Sequence, residues 1–555
     1  MLLVAVSLAA LVLVARVVDV QAVAASSYAS YANSELYQKV TLPAVRGALY
    51  DRTGNLLAAS VSRVDVVADD YLVRNPASAA GPLAGLLGVS TSAMKSELHQ
   101  HSGYVVLDSE VGSALADKVS ALNLPFITLV PVTDSLMPDG SLFSSLFSIG
   151  PTGHGASGLE EQYRGLLSGS PGSEQLAFGV GGTELPAAAR DVHPSQQGDG
   201  LVLTLDQALQ YEVTNVLSAQ ISATKARSGV AVVMDTRTGG ILAMVNLQRS
   251  HGSVVPATQN LALETEYQPG SVMKLATISG ALQERLIKPK SELSVPDVTY
   301  VGGWPFEDAE FHPTQMMPVT QILAQSSNVG TIEIAHLLRP AGLYHYLRDL
   351  GFGQPTGLNW PGETAGFVPK PGTARWWGSS MGAVPIGTGE AVTPVQILDA
   401  YNAVANGGVF VPPRLVQAKV SPGGSESVVP YSARHRVLDA STVRELVPML
   451  EKVTAAGTAT EAEIPGYSVA GKTGTAQIPS PTGGYTAGAW MATFVGFVPA
   501  QQPRLSAIVV LNRPDLIYGG SASAPVFSTI MRYALRHFDI SPPATRGASS
   551  SAGHS

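Results

Sequence analysis

The sequence predicts an α+β fold: an antiparallel sheet flanked by helices plus a helical subdomain, preceded by an elongated mixed α/β domain and an N-terminal membrane segment. Three observations predict it. The first residues, MLLVAVSLAALVLVARVVDVQAVAA, are almost wholly apolar. From about Leu42 to Val192 short β-like runs mix with helical stretches. From about Leu201 the chain reads as a strand, a long helix and a hairpin, then a helical block, then strands and a closing helix. At roughly 100–200 residues per domain, 555 residues allow two to four domains and a large core.

Residues 1–25 read as a transmembrane anchor or an uncleaved signal. Met1 to Ala15 is uncharged, and Arg16 and Asp19 interrupt the run. With Val17, Val18 and Val20 it approaches the roughly 20 apolar residues that span a bilayer. Ala22-Val23-Ala24 resembles a cleavage site, while the positive flank usual for either form is missing from this stretch. Both readings imply export, and a buried soluble helix is the bland alternative.

Residues 40–195 form the mixed domain. "RVDVVADDYLV", "GYVVLD" and "PFITLVPV" read as strands, and "GPLAGLLGVSTSAMKSEL" as helix. The polar stretch "HPSQQGDG" marks a boundary. Residues 205–540 form the second large domain. "LVLTLDQALQYEVTNVLSAQISATKA" leads into it as a short strand and a long amphipathic helix with Asp206 near its start. "GVAVVMDTRTGGILAMVN" is a hairpin around a Thr-Gly-Gly turn. Helical segments dominate from Ser271 to about Ala405. Strands return at "GYSVAGKTGTAQI", "WMATFVGFVP" and "RLSAIVVLNRP", and "APVFSTIMRYALRHF" is a final helix. Residues 541–555, small and polar, read as a disordered tail.

Composition narrows the chemistry. With 45 % hydrophobic and 14 % charged residues the chain is globular. A net charge of −8 and no basic run argue against nucleic acid. The absence of cysteine excludes disulfides, thiolate metal sites and cysteine nucleophiles. The eleven histidines form no H-E-x-x-H spacing, which argues against a zinc peptidase.

The pattern S-x-x-K occurs three times, at Ser92/Lys95, Ser222/Lys225 and Ser271/Lys274. The first two lie in polar, amphipathic helical stretches and read as solvated faces. The third follows the turn Pro269-Gly270, so Ser271 falls at a helix N-terminus with Lys274 on the same face. The helix dipole there favours an oxyanion. Val272, Met273, Leu275, Ala276 and Ile278 surround Lys274, and burial among them favours the neutral amine a general base must be. Two further patterns follow in order: Ser326-Ser327-Asn328, the only S-x-N, and Lys472-Thr473-Gly474, the only K-T-G. K-T-G ends a β-like run, as an edge strand bordering a site requires, and its glycine lets a substrate backbone approach.

That ordered set is the one used by serine acyl-transferases. With it the chain resembles class B penicillin-binding proteins, the monofunctional peptidoglycan D,D-transpeptidases, and most closely their division-type group. "RGALYDRTGNLLAAS", "GLEEQYRGLLSGSPG", "MDTRTGGILAMVN", "GFGQPTGLNWPGE" and "GTGEAVTPVQILDAYNAVANGGV" extend the similarity over about residues 40 to 540. The resemblance implies the penicillin-binding transpeptidase fold on a pedestal domain. It implies that Ser271 attacks the penultimate D-alanine carbonyl of a stem peptide and that Lys274 takes its proton. Ser326 would relay a proton to the leaving D-alanine, and Asn328 would contact Lys274 and the substrate amide. Lys472 and Thr473 would hold the terminal carboxylate, Gly474 would lie in the binding strand, and the N–H groups of Ser271 and Thr475 would form the oxyanion hole. It further implies covalent acylation by β-lactam antibiotics and no metal or organic cofactor. The location implied is the cell membrane, with the catalytic domain extracytoplasmic. The implied partner is a membrane-embedded glycan polymerase of the shape, elongation, division and sporulation group.

Two rivals remain at this level: a carboxypeptidase or β-lactamase-type hydrolase with the same motifs, and a non-catalytic penicillin sensor. Three features read as decoys. "GSSMG", residues 378–382, matches a hydrolase nucleophile elbow without the core strand it needs. "GHGASG", residues 153–158, reads as a loop. Trp376, Trp377, Tyr344 and Tyr346 read as packing residues rather than sugar platforms.

Overall fold

A computed structural model describes residues 2–149, 155–177 and 191–543. Most of the tail expected to be disordered, and the start of "GHGASG", lie outside the described residues.

The apolar start is a helix, Leu2–Val18, continued by a π-helical turn, Asp19–Val23. Together they give one 22-residue run with none of it buried. At about 1.5 Å per residue this is long and apolar enough to cross a bilayer of roughly 30 Å.

The mixed domain is organised by a long strand. β1 (Leu49–Tyr50) and β2 (Leu56–Ala68) form a hairpin. β3 (Val105–Val111) and β4 (Ile127–Leu136) both pair antiparallel with β2. Helices Pro76–Leu87 and Thr91–Glu97 pack there around Leu83, Met94 and Val66. "RGALYDRTGNLLAAS" and "GLEEQYRGLLSGSPG" meet through a buried ion pair between Arg46 and Glu160. Arg46 also donates to Glu160 O at 2.9 Å and to Ser168 Oγ at 2.8 Å.

The polar stretch 193–200 leads into β5 (Gly200–Leu203). β5 pairs parallel with β1. α1 (Gln207–Ala223) starts where the sequence places it, because Asp206 caps it by accepting from Leu209 N at 3.0 Å. The central sheet comprises β6 (Ser228–Asp235), β7 (Ile241–Ser250) and β8 (Ser253–Pro256) from the early hairpin region. α2 (Lys274–Gln283), α3 (Asn328–Asp349) and α4 (Pro394–Ala405) follow. α3 bends at Arg339-Pro340, where Arg339 has φ 64°. β9 (Val416–Val420) and β10 (Glu426–Val428) join the outer side of β5, so that sheet is built from both large segments of the chain. α5 (Ala440–Ala456) precedes the returning strands β11 (Ala470–Pro479), β12 (Tyr485–Val498) and β13 (Leu505–Asn512), and α6 (Ala524–His537) closes the domain.

The central sheet has the order β8-β7-β6-β13-β12-β11, and all its pairs are antiparallel. α1 and α6 cover one face. A Cβ at Gly229 of β6 would meet Ile221 and Leu217 of α1, and Phe494 of β12 stacks edge-on against Phe527 of α6. α4 covers the other face, where Ser506 Oγ donates to Asn402 Oδ1 at 2.9 Å. Both layers belong to one hydrophobic core in which Val232, Phe494 and Ile508 are fully buried. Each such side chain contributes about 1.5–3 kcal/mol through burial, enough together to hold the strand order on which the site depends.

Four expectations are corrected here. The block from Ser271 to Ala405 also contains two small strand pairs, 292–295 with 315–318 and 298–301 with 304–307. Lys225 lies beyond the end of α1 with φ 51°, so the second S-x-x-K pair straddles a helix terminus. Residues 155–158 of "GHGASG" form a short strand paired with 147–149 rather than a loop. Trp377 is 70 % exposed and is no packing residue.

Candidate active site

The turn before Ser271 is fixed from three sides. Gly270 has φ 62° and donates its N–H to Gly387 O at 2.9 Å. A Cβ there would lie 2.9 Å from Thr475 O, so only glycine fits. Tyr401 of α4 donates to Val272 O at 2.9 Å from a fully buried position. Ser271 therefore sits on a 3₁₀ turn, Gly270–Met273, that feeds α2, rather than on the first turn of an α-helix. In a 3₁₀ turn residues three apart eclipse, which keeps Ser271 and Lys274 on one face. The Ser271 side chain is half-buried, and its hydroxyl makes no hydrogen bond among the described residues.

Lys274, first residue of α2, is fully buried. Its Nζ donates to Ser326 O at 2.5 Å and Asn328 Oδ1 at 2.8 Å, and lies 3.2 Å from Ser326 Oγ. Burial pushes its pKa well below the usual lysine range, the positive charge of Lys472 adds to this, and Asp308 opposes it. A neutral amine has two N–H groups and one lone pair. The carbonyl and Oδ1 are acceptors only and take the two protons, which leaves the lone pair open to a hydroxyl.

The S-x-N wall has a support absent from the motif pattern. Ser327 caps α3 by accepting from Gly330 N at 2.9 Å. Asp308, whose side chain is 8 % exposed, accepts from Ser327 Oγ at 2.6 Å, from Val329 N at 3.0 Å and from Asn328 N. Asn328 Nδ2 donates to Glu307 O at 2.8 Å. The segment after the small strand 304–307 thus sets the position of Asn328, and through it that of Lys274. No local pattern in "WPFEDAEFHP" marks Asp308 for this task; only the fold brings it to the α3 N-terminus.

Lys472 is also fully buried. Among the described residues its Nζ has only long contacts, 3.3 Å to both Thr473 O and Thr473 Oγ1. Burial lowers its pKa to about 7. Thr473 Oγ1 pairs with Thr458 Oγ1 at 2.7 Å, and Thr475 Oγ1 accepts from Gly519 N at 3.3 Å. K-T-G lies near the start of β11, not at the end of a run, and β11 is an edge of the central sheet. A Cβ at Gly474 would lie 2.6 Å from Pro269 O. The turn that carries Ser271 therefore itself requires glycine at this position.

The fold brings all eight candidate residues to one place: Ser271 and Lys274 on one turn, Ser326 and Asn328 bonded to the Lys274 amine, and the Lys472–Thr475 strand against Pro269-Gly270. The other S-x-x-K serines stand apart, with Ser92 and Ser222 exposed on helices. The "GSSMG" stretch opens a short helix, Ser380–Ala383, with no strand before it. Such a site offers a half-buried hydroxyl, a neutral amine on its face, a hydroxyl that can relay protons and a second lysine that can receive an anion.

Comparison with known proteins places this geometry. A family model described as the penicillin binding protein transpeptidase domain matches residues 229–532. The penicillin-binding protein PbpB of Mycobacterium tuberculosis is 31 % identical, over 90 % of this chain and 78 % of its own. The peptidoglycan D,D-transpeptidase FtsI of Escherichia coli K12 is 30 % identical, over 90 % of this chain and 84 % of its own. Among solved structures, penicillin binding protein 3 of M. tuberculosis complexed with aztreonam aligns with a TM-score of 0.71 at 28 % identity, covering 91 % of this chain and 98 % of that one. A peptidoglycan synthetase from Bifidobacterium adolescentis aligns with a TM-score of 0.75 at 26 % identity, covering 92 % and 98 %.

Proposed function

The chain belongs to the class B penicillin-binding proteins, within the penicillin-binding transpeptidase family, and from that premise we propose that it cross-links peptidoglycan stem peptides by serine acyl transfer. The observation that carries the reading is the fully buried Lys274 amine, held by Ser326 and Asn328 on the face of the Ser271 turn.

In this reading Lys274 takes the Ser271 proton as the hydroxyl closes on the amine, a contact that tightens when substrate binds. Ser271 Oγ attacks the penultimate D-alanine carbonyl. The N–H groups of Ser271 and Thr475 hold the oxyanion, at about 3–4 kcal/mol per donor. The proton on Lys274 passes through the Ser326 hydroxyl to the nitrogen of the departing D-alanine. Lys472 and Thr473 hold the terminal carboxylate, whose negative charge keeps Lys472 protonated. An amine of a second stem peptide then attacks the ester, forms the cross-link and frees Ser271. The M. tuberculosis relative was solved in complexes with aztreonam and ampicillin, and we carry β-lactam acylation to Ser271 of this chain.

We further assign residues 40–195 to a pedestal and 205–540 to the transpeptidase domain. Leu2–Val23 serves as the anchor that keeps the catalytic domain on the extracytoplasmic side. The anchor and pedestal face a membrane-embedded glycan polymerase whose product this enzyme cross-links. The division-type resemblance and the FtsI relative favour septal work.

Labelling with a fluorescent penicillin tests the site. Ser271→Ala abolishes labelling, while Ser92→Ala and Ser222→Ala retain it; a labelled Ser271→Ala protein overturns the assignment. Mass analysis of products separates cross-linked dimers from the trimmed monomers that a carboxypeptidase yields.

A further inference from the structure

A cavity of about 550 Å³ opens beside the catalytic turn. Gln268, three residues before Ser271, forms one wall, and Gln477, two residues after Thr475 on β11, forms another. Arg227 and Arg513 also line it. They stand side by side where β6 and β13 meet, since Arg227 N donates to Asn512 O at 2.8 Å. Both are exposed, and neither guanidinium has a hydrogen-bond or ion-pair partner among the described residues. Asn512 Oδ1, also in the lining, is buried without a hydrogen-bond partner. Two carboxyls share the wall. Burial pushes the Glu390 carboxyl well above the usual carboxylate range, which favours its neutral form, and Glu266 accepts from Thr364 Oγ1 at 3.2 Å. The cavity is therefore cationic on balance, in a chain whose net charge is −8.

Register connects this cavity to the reaction. A terminal carboxylate at Lys472 and Thr473, with the scissile carbonyl at the N–H of Thr475, fixes the direction of the donor along β11. It adds as a strand antiparallel to that edge, with its upstream residues running toward Gln477. At about 3.3 Å per residue, the two residues before the scissile D-alanine reach Gln477 and the cavity mouth.

We propose that this cavity is a subsite for a carboxylate carried by the donor stem one or two residues upstream of the scissile D-alanine, anchored by Arg227 and Arg513. The proposal rests on the acyl-transfer reading above and adds to it the charge class of stem that the enzyme selects. Guanidinium groups suit the task because they hold a carboxylate through paired N–H groups.

The probes are synthetic peptides ending in D-Ala-D-Ala, with either a carboxylate or its carboxamide at the two upstream positions, assayed with the full chain for D-alanine release and transfer to an amine acceptor. The expected result is at least about a tenfold higher kcat/KM for the acidic probe, the size of one charge-assisted contact. The difference lies in KM and shrinks as salt rises. In Arg227→Gln/Arg513→Gln the preference falls to about unity, and Arg227→Lys/Arg513→Lys keeps part of it. Equal turnover of both probes by the unmodified enzyme, or an unchanged preference in the glutamine variant, overturns the proposal. Penicillin labelling of Ser271 reads the parent mechanism separately. A chain that labels but does not discriminate refutes only the subsite, and one that does not label refutes the acyl-transfer reading itself.

Discussion

Two lysines of this molecule are equally buried and face the same site, yet the walls around them differ. Lys274 stands against the S-x-N wall with three oxygens within 3.2 Å. Lys472 stands in the K-T-G wall with two contacts, both 3.3 Å and both to its own neighbour Thr473. Burial lowers both pKa values. What differs is satisfaction. The Lys274 amine has acceptors for both its N–H groups and keeps its lone pair free for an incoming hydroxyl, so it is satisfied as a neutral amine. The Lys472 amine lacks a strong acceptor, so it is complete only when an anion arrives. In the proposed reading one residue type serves two tasks because one wall supplies oxygens and the other leaves that to the substrate.

The largest effect that could break this comparison comes from the base. Lys274→Met removes the proton acceptor, and penicillin acylation falls about a thousandfold, within the range of general-base catalysis. Lys274→Arg falls as far, because a guanidinium stays protonated at every pH the protein survives. Stopped-flow acylation measures both. An arginine variant with near-normal rates means that the charge of Lys274 matters more than its basicity, and the contrast between the walls is lost.

The next effect belongs to the anion receptor and carries a pH signature. In the proposed mechanism acylation requires Lys274 neutral, so kcat/KM rises as that amine loses its proton. Carboxylate binding requires Lys472 charged, and in the free protein it loses its proton near pH 7. Affinity for D-Ala-D-Ala donors therefore declines above about pH 7 and gives the profile an alkaline limb. Lys472→Arg keeps the charge throughout, so the limb moves out of range. Lys472→Met weakens donor affinity roughly tenfold to a hundredfold, chiefly in KM. An alkaline limb that survives Lys472→Arg assigns it to another group.

How much of this contrast the sequence carried follows from how local each signal is. Ser271 and Lys274 were legible because a Pro-Gly turn and a spacing of three suffice to put them on one face. The sheet was legible from the Thr-Gly-Gly hairpin and the apolar runs that became β12 and β13. Asp308 was not, because its partners Ser327, Asn328 and Val329 lie about twenty residues on and meet it only after the small strand pairs form. Those pairs are four residues long and half-exposed, too short for alternation to stand out from a loop. The packing reason for Gly474 was hidden for a related reason: the atom it makes room for, Pro269 O, lies about two hundred residues away. Arg227 and Arg513 gave no signal either, since strand order alone makes them neighbours.

The smallest effect is thermodynamic and sharpens the contrast most. Methionine fills nearly the volume of lysine without its amine. At position 274 it leaves Ser326 O and Asn328 Oδ1 without their donor, which costs about 1–3 kcal/mol. At position 472 no strong acceptor is orphaned, because Thr473 Oγ1 keeps Thr458, and a buried polar group with little compensation is removed. Lys274→Met therefore lowers the melting temperature and Lys472→Met raises it. The size of the second change depends on pH. An unfolded lysine keeps its proton to about pH 10.4, whereas folded Lys472 gives it up near 7. Between those values the unfolded chain binds more protons, so the unmodified protein gains stability as pH rises from about 7 toward about 10.4 and loses it as pH falls back to about 7, below which both states hold the proton. The advantage of Lys472→Met is then greatest at pH 6 and smaller at pH 9; burial lowers the Lys274 pKa too, so the deficit of Lys274→Met, set by orphaned acceptors, is partly offset at pH 6 and clearest at pH 9. Calorimetry at the two pH values measures this. If both methionine variants move the melting temperature in the same direction, the two walls hold their lysines alike, and the base and the anion receptor cannot be told apart by how well each amine is satisfied.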